Sequence, residues 1–508
     1  MTAPAPRDVE RFREIVARRF GLQFEDARLS FLAEVLRRRV DASGHRCGEY
    51  LGSLEAASAK SEIAALAQEL TVAETYFFRN AGQFRAFTEV CLPDRMRAQA
   101  ARRRLRILSA GCASGEEAYS LAILVREQMP DPSWEVSILG VDVNPAVIEK
   151  GARALFSTWS LRETAPEVQR RWFRPEGRDF LLDEVARSAV RLEARNLVAD
   201  DRELWQHEAY DVVFCRNVLM YFTPDSARAV IERMTRALAP GGYLFLGHAE
   251  TLRGLSLDFH LRHTHETFYY QRKDRLGQRS DPPTPHAEPA LRAATQPILA
   301  VLDASDSWVE AIRRASERVQ TLTDSSRRRV ASRIEPIAPV RRSTLGVVLE
   351  LLRKERFSDA LELVQSPPLD VARDPDVLLL RAVLLTHSGR LEEAEGFCRS
   401  LLEIDELNAG AHYVLAMCRE GAGDRKGAVD HDQAAAYLDR AFAMPRLHLG
   451  LLARKGGDRE TAARELGEAA ALLQREDPSR LLLFGGGFGR ETLIALCEAE
   501  LVTGGRHA

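Results

Sequence analysis

Arg106-Ile107-Leu108-Ser109-Ala110-Gly111-Cys112-Ala113-Ser114-Gly115-Glu116-Glu117 is the stretch on which the fold turns. It reads as an apolar strand, a turn carrying two glycines, and the start of a helix. Such a turn lets a ligand approach the backbone, and the helix start offers unpaired N–H groups. The spacing is not the full GxGxxG, and an acidic residue follows at once. That disfavours a phosphate and suits a cation such as the amino group of a methionine moiety. Glu116 and Glu117 could instead be the carboxylates a helix dipole attracts at its N-terminus.

Outward from this turn, short β-rich runs alternate with helical ones: Leu105–Ala110, Val136–Val141, Tyr210–Cys215 and Gly242–Gly247 are the clearest strands. Alternation of this kind argues for a mostly parallel sheet covered by helices. The second strand ends in Asp142, placed to take the two hydroxyls of a ribose, as in other nucleotide-binding sheets. The competing reading makes Asp142, or Asn144, a cap for the helix starting near Pro145. A further run, Phe214-Cys215-Arg216-Asn217-Val218-Leu219-Met220-Tyr221-Phe222, carries polar groups past a strand end, where open α/β sheets bind ligands. Tyr221 reads equally as a site residue or a half-buried core tyrosine. A stretch from Phe173 to Asn196 reads as a small antiparallel insertion.

Ahead of the sheet, Val9, Phe12, Val16 and Phe20 recur at helical spacing before Gly21. Leu29, Leu32, Val35 and Leu36 mark a second helix ending in Arg37-Arg38-Arg39, and Ile63, Leu66 and Leu70 a third. Behind the sheet, residues 272–342 have the Pro, Ser, Arg and Asp content of a linker, with Ser307–Thr323 alone helical in pattern. Then Ala360, Ala394, Ala428 and Ala462 recur every 34 residues, and Gly389, Gly423 and Gly457 keep the same step. That period, with a glycine turn and a small residue early in the second helix, is the tetratricopeptide pattern.

The bulk composition excludes other classes. The chain has 508 residues, 45% apolar and 29% charged, with 71 basic against 74 acidic residues and a net charge of −3. This length predicts more than one domain, and the balance gives no general attraction to nucleic acid or an anionic membrane. Seven scattered cysteines without a CxxC predict neither disulfides nor a metal site. With no leader pattern and no apolar run of membrane-spanning length, a cytoplasmic protein without membrane insertion is expected. A nucleic-acid methyltransferase would carry an Asn/Asp-Pro-Pro-Tyr/Phe motif or a Pro-Cys nucleophile; neither occurs. A small-molecule methyltransferase would usually lack the N-terminal helices. A scaffold with a degenerate enzyme half, acting through its repeats, is the alternative.

Four separated motifs together resemble the CheR-type chemoreceptor glutamate methyltransferases. They are Leu70–Arg79, the Ser109–Ser120 turn, the Phe214–Phe222 run and Pro240–Glu250, in order within roughly residues 10–272. The late Phe484–Glu491 stretch is similar to the subgroup with a tetratricopeptide domain. The resemblance implies an α/β Rossmann-like methyltransferase sheet with an N-terminal all-α domain, a small β-subdomain and a C-terminal helical repeat domain. It implies S-adenosylmethionine as cofactor, held by Thr75, Arg79, Glu116 or Glu117, Asp142, Asn196, Leu197, Arg216 and Asn217. Arg79 and Tyr221 would flank the transferred methyl group. Arg37, Arg38 and Arg39 would meet the receptor's cytoplasmic helices, and the repeats a further protein. The domains expected are 1–90 (receptor docking), 91–272 (cofactor binding, with the β-subdomain at 173–196), 273–342 (linker) and 343–508 (repeats). Ala73, Ala118 and Ala249 depart from the family's usual Asn, Pro and Ser. The loop Arg174–Asp179 is short, which argues against docking of a receptor tail.

Overall fold

Strand β1 (Arg104–Ala110) lies at the middle of a seven-stranded sheet, between β2 (Glu135–Asp142) and β7 (Tyr210–Cys215). Three short strands between these two in sequence, β3 (Leu155–Phe156), β4 (Phe173–Glu176) and β5 (Asp179–Leu182), make a separate antiparallel sheet. Strand β6 (Val190–Ala194) is followed, after β7, by β8 (Leu238–Leu246), β9 (Phe259–Thr264) and β10 (Thr267–Arg272). The large sheet runs β6-β2-β1-β7-β8-β10-β9. Its first five strands are parallel; β10 runs antiparallel to both of its neighbours. Chain order therefore departs in opposite directions on the two sides of β1, and the crevice at such a switch point is where open sheets hold ligands.

The structure is a computed structural model that describes residues 4–56, 60–129, 131–274, 374–485 and 488–504. It comprises two units, Met1–Gly277 and Gln278–Ala508. Most of the expected linker and the first expected repeat, around Ala360, lie outside the described residues. Among the described residues no helix is long and apolar enough to cross a membrane.

The sheet's central strands are buried on both faces, so they read as continuous apolar runs: Val212, Val213 and Phe214 are wholly enclosed. One face is covered by a column of rings, Phe84, Phe214, Phe245 and Tyr269, with successive centroids 5.9, 4.3 and 5.2 Å apart and near-parallel planes. Offset stacking of this kind adds about 0.5–1.5 kcal/mol per pair beyond area burial.

Two expectations need correction. The run Val190–Ala194 does not belong to an antiparallel insertion at 173–196; it pairs in parallel with β2, Ile138 opposite Val190 through Asp142 opposite Ala194. Only one side of this edge strand is covered, so its Val190-Arg191-Leu192 alternation imitates a hairpin arm. The expected boundary at residue 90 also falls inside the sheet's core, which already contains Phe77, Phe84, Phe87 and Cys91. The N-terminal helices keep a core of their own that ends at Leu70. There α1 (Pro6–Phe20) stops at left-handed Gly21, while α2 (Leu29–Ser43) continues one turn past the arginine triplet.

The second unit is built from helical hairpins: Pro375–His387 with Leu391–Ile404, Ala409–Gly421 with Arg425–Leu438, and Ala443–Lys455 with Arg459–Leu473. Gly389, Gly423 and Gly457 turn the chain at φ of 72, 79 and 80°. Ala394, Ala428 and Ala462 are buried early in each second helix, where only a small side chain lets the two helices close. A short helix, Pro478–Phe484, and a longer one, Arg490–Gly504, follow.

Candidate functional site

A cleft opens at the carboxyl ends of β1, β2 and β7. The register explains why: Ala110 lies beside Val141, and Ser109 beside Phe214, so the three strands release their loops side by side. The loop after β1 is tightly curled, with Gly111, Ala113 and Gly115 all at positive φ (77, 48 and 87°). A Cβ at Gly111 would sit 2.3 Å from Val218, so glycine is demanded twice, by conformation and by space.

Asp142 closes β2. One of its oxygens accepts the N–H of Ala113 at 3.0 Å and the other that of Asn144 at 2.9 Å. Asn144, not Asp142, caps the following helix, through Ala146 N–H at 3.0 Å. Asp142 is thereby tied to the β1 turn, its carboxyl raised by burial against the opposing pull of those N–H groups.

The two glutamates of the turn separate. Glu117 lines the cleft; it accepts from Ser109 Oγ at 2.7 Å and faces Arg216 at 3.5 Å. Burial raises its carboxyl although Arg216 opposes the shift. Glu116 is not in the cleft. It is buried under the helix against the hydroxyls of Ser114 and Ser160 at 2.8 and 3.2 Å. Adjacent helical positions point about 100° apart, and only one can face the ligand side.

Thr75, Arg79, Asn196, Leu197, Arg216, Asn217 and Tyr221 also line the cleft. The Asn196 amide is already committed, donating to Arg19 O at 2.7 Å and accepting from Val198 N–H at 3.0 Å. Arg216 is buried, donates to the carbonyl of Arg79, and its guanidinium lies 5.4 Å from the Phe84 ring centroid. Arg79 donates to Glu74 O at 3.1 Å. Tyr221 is one-third exposed at 36%. Its carbonyl accepts from Gln23 N–H at 2.8 Å, and Thr223 N–H reaches Gly21 O at 2.7 Å. The segment after α1 thus forms a one-bridge ladder, Leu22 with Phe222, against the Tyr221 loop.

Some residues that shape the cleft were not anticipated. Glu250 is buried, and its carboxylate accepts four backbone N–H groups: Gly247 and Asn217 at 2.7 Å, Val218 at 2.8 Å and Met220 at 3.2 Å. It holds Asn217 at φ 59° and sets the loop that carries Tyr221. The Pro240–Glu250 motif was visible in the sequence, but nothing in it distinguishes an acid that receives backbone donors. Phe20, Leu22, Phe24 and Tyr76 supply apolar wall; helical periodicity spoke only for the first as a core residue.

Arg37, Arg38 and Arg39 lie away from the cleft lining and are all paired. Arg37 binds Glu34 at 2.6 Å, Arg38 binds Glu69 at 2.7 Å, and Arg39 binds Glu62 through two nitrogens at 2.7 Å. Glu62 also accepts from Tyr50 Oη at 2.7 Å. Arg39 is therefore committed within the helical subdomain, which removes it from the exposed docking face expected of the triplet; Arg37 and Arg38 remain more accessible. No group of three or more potential metal ligands occurs among the described residues. Six of the seven cysteines are buried, Cys47 partly so.

The family described as CheR methyltransferase, SAM binding domain, matches residues 73–268. Chemotaxis protein methyltransferase 2 of Vibrio cholerae is 33% identical over 269 residues, which cover 52% of this chain and 92% of that protein. The probable biofilm formation methyltransferase WspC of Pseudomonas putida is 27% identical, covering 92% of this chain and 99% of that one. WspC of Pseudomonas aeruginosa is 27% identical over 91% of this chain and 98% of its own length.

Proposed function

The chain belongs to the CheR family of S-adenosylmethionine-dependent methyltransferases, and on that premise we propose that it esterifies glutamate side chains on chemoreceptor cytoplasmic helices. The observation that carries the reading is the donor set at the sheet edge: two partly buried carboxylates, Asp142 and Glu117, on either side of a turn, Gly111 to Gly115, that itself carries no lysine or arginine. A nucleoside without phosphates and with a cationic tail matches that set. Asp142 would take the ribose hydroxyls with the lone pairs its two N–H contacts leave open. Glu117 would face the ammonium of the methionine moiety. Thr75, Asn217 and the backbone at Asn196-Leu197 would complete the wall, with Arg216 holding Glu117 in place.

The cofactor, when bound, supplies a methyl group on a positively charged sulfur. A glutamate side chain has an ordinary pKa near 4.3 and is already ionised at neutral pH, so the chain need provide no general base. The cleft lining contains no histidine among the described residues. Its one cysteine, Cys112, has its thiol pushed well up by burial, which disfavours the thiolate. What these residues can do is align and dry the site, a contribution that reaches about 7–11 kcal/mol in well-oriented systems. Arg79 would orient the incoming carboxylate and Tyr221 border the line of transfer. Arg79 must grip loosely, because binding the ground state tightly gains nothing.

The reading divides the chain into a receptor-facing helical part with Arg37 and Arg38, a transferase sheet, and repeats that bind another protein. Incubating the full chain with methyl-labelled cofactor and receptor-bearing membranes tests it. Base-labile label on receptor peptides, mapped to glutamates, is expected. Label that resists base, or none despite cofactor binding by calorimetry, would overturn the substrate assignment.

A further inference from the structure

The short helix Pro478–Phe484 does not continue the stack of hairpins. Its residues reach elements about 40 to 100 positions earlier in the chain. The carbonyl of Leu483 lies 3.2 Å from Nε2 of His387, in the first described hairpin. The Phe484 ring packs edge-on to Tyr413 of the second hairpin, centroids 5.7 Å apart, and beside Phe442 at the start of the third, at 5.0 Å. Arg480 binds Asp439 at 2.9 Å and lies over the Phe442 ring at 5.0 Å. One seven-residue helix thus touches all three hairpins, and apart from Asp439, which closes the helix Arg425–Leu438, these contacts fall on or beside the first helix of a hairpin. In stacked helix pairs those first helices can line one continuous face, and a segment crossing it contacts each repeat in turn, whereas a further stacked repeat would meet only its neighbour.

The fit is specific. Arg480, Leu481, Leu483 and Phe484 are all buried, at 3, 6, 2 and 4% exposure. Gly410, inside a helix where glycine is otherwise a poor choice, is where the Phe484 ring arrives: a Cβ there would stand 3.1 Å from the ring tip and 3.0 Å from Leu379. A helical position without a side chain, set beneath an aromatic tip, is a pocket. Opposite charge supplies the second anchor, since Arg480 meets Asp439 and Glu476 with both partners buried.

We propose that this face of the repeats is a peptide-binding groove, that Arg480–Phe484 occupies it in cis, and that a partner's short helix with the same chemistry displaces it. That chemistry is an arginine followed, three and four positions on, by a leucine and a phenylalanine. Such spacing puts the three side chains on one helix face. The inference rests on the reading of the repeats as a protein-binding module and gives that module a ligand class and a competitor.

The test uses the full chain and a fluorescent peptide with the sequence of residues 474–489. The intact protein should bind the peptide weakly, because the groove is filled. Phe484→Ala, which loosens the occupant and leaves the groove whole, should bind it at least tenfold more tightly. Gly410→Ala should abolish peptide binding in either background. It should also speed amide exchange across 478–484 at least tenfold while helix Ala409–Gly421 stays protected, since alanine favours that helix. Should Phe484→Ala fail to fold, exchange in the unaltered chain decides: 478–484 must open faster than Arg459–Leu473. Equal protection of the two, or a folded Phe484→Ala protein that ignores the peptide, overturns the groove. A physiological partner that binds without changing exchange at 478–484 also overturns it, yet leaves the repeats standing as a binding module.

Discussion

Gly111 in the first unit and Gly423 in the second both turn the chain in the left-handed region, at φ 77 and 79°, but their surroundings are opposites. A side chain at Gly111 would collide with Val218, whereas nothing lies within 4 Å of a side chain at Gly423. The sheet edge has filled its turn with neighbours because several loops converge on one ligand space. The repeats use their turn only to reverse direction, three times over. Damage at the cleft should therefore be steep and local to catalysis, and damage at a repeat turn shallow and confined to stability.

The largest effect expected is from Gly111→Ala, where backbone strain and overpacking add to about 3–5 kcal/mol. Calorimetry should find cofactor affinity reduced by two orders of magnitude or more while the second unit melts unchanged. Next comes Arg79→Ala, which should lower turnover by about 10²–10³, comparable to losing one oriented polar group from an active site. Tyr221→Phe should cost about tenfold, with circular dichroism unaltered for both; unchanged turnover in both would remove them from the mechanism. Glu250→Gln exchanges a carboxylate that receives four N–H groups for an amide that can receive only on one side. A loss of about 2–3 kcal/mol is expected, read as slower turnover together with a lower melting temperature of the first unit alone.

The second unit offers the converse. Burial by itself would lower the His448 pKa, but Asp432 at 2.6 Å and Glu420 at 2.9 Å lift it to about 9. With the folded value above the ordinary 6.5, its stabilisation is complete below about pH 6.5 and fades as pH climbs to 9. Asp432, pushed up to about 7 by burial, also loses stability as pH rises, but between its ordinary value and about 7, largely below that window. Melting followed across that window should show a loss of about 1–3 kcal/mol in the second unit, and His448→Gln should flatten it. Smallest is Gly423→Ala, at about 1 kcal/mol for one left-handed alanine, read as a few degrees in the second unit's melting with methyl transfer intact. Equal effects of the two glycine substitutions would abolish the contrast.

Legibility in the sequence follows the same divide. The repeats announced themselves through Ala394, Ala428 and Ala462, because each hairpin meets the same steric demand. The groove occupant did not: Pro478–Phe484 is too short to show periodicity, and its partners lie far away in sequence. At the sheet edge Asp142, Arg216 and Asn217 were legible, since polar residues just past an apolar run stand out. The choice between Glu116 and Glu117 depended on which side of one helix faces the ligand, and that is set by the strand below it. Strands β9 and β10 went unread because their connecting His265 and Glu266 take positive φ without the Asn-Gly pair that signals such a turn. Glu250 stayed silent because its partners are backbone amides, which every residue has.

The two hydrogen bonds that tie Gly21 and Gln23 to Thr223 and Tyr221 make a mechanical coupling. A load applied to the first helix passes through two peptide groups to the loop that bears the tyrosine, with no side chain between to absorb it. On the proposed reading, a partner that leans on the helical subdomain would tug on the loop that carries Tyr221, so that capture and alignment would be one motion.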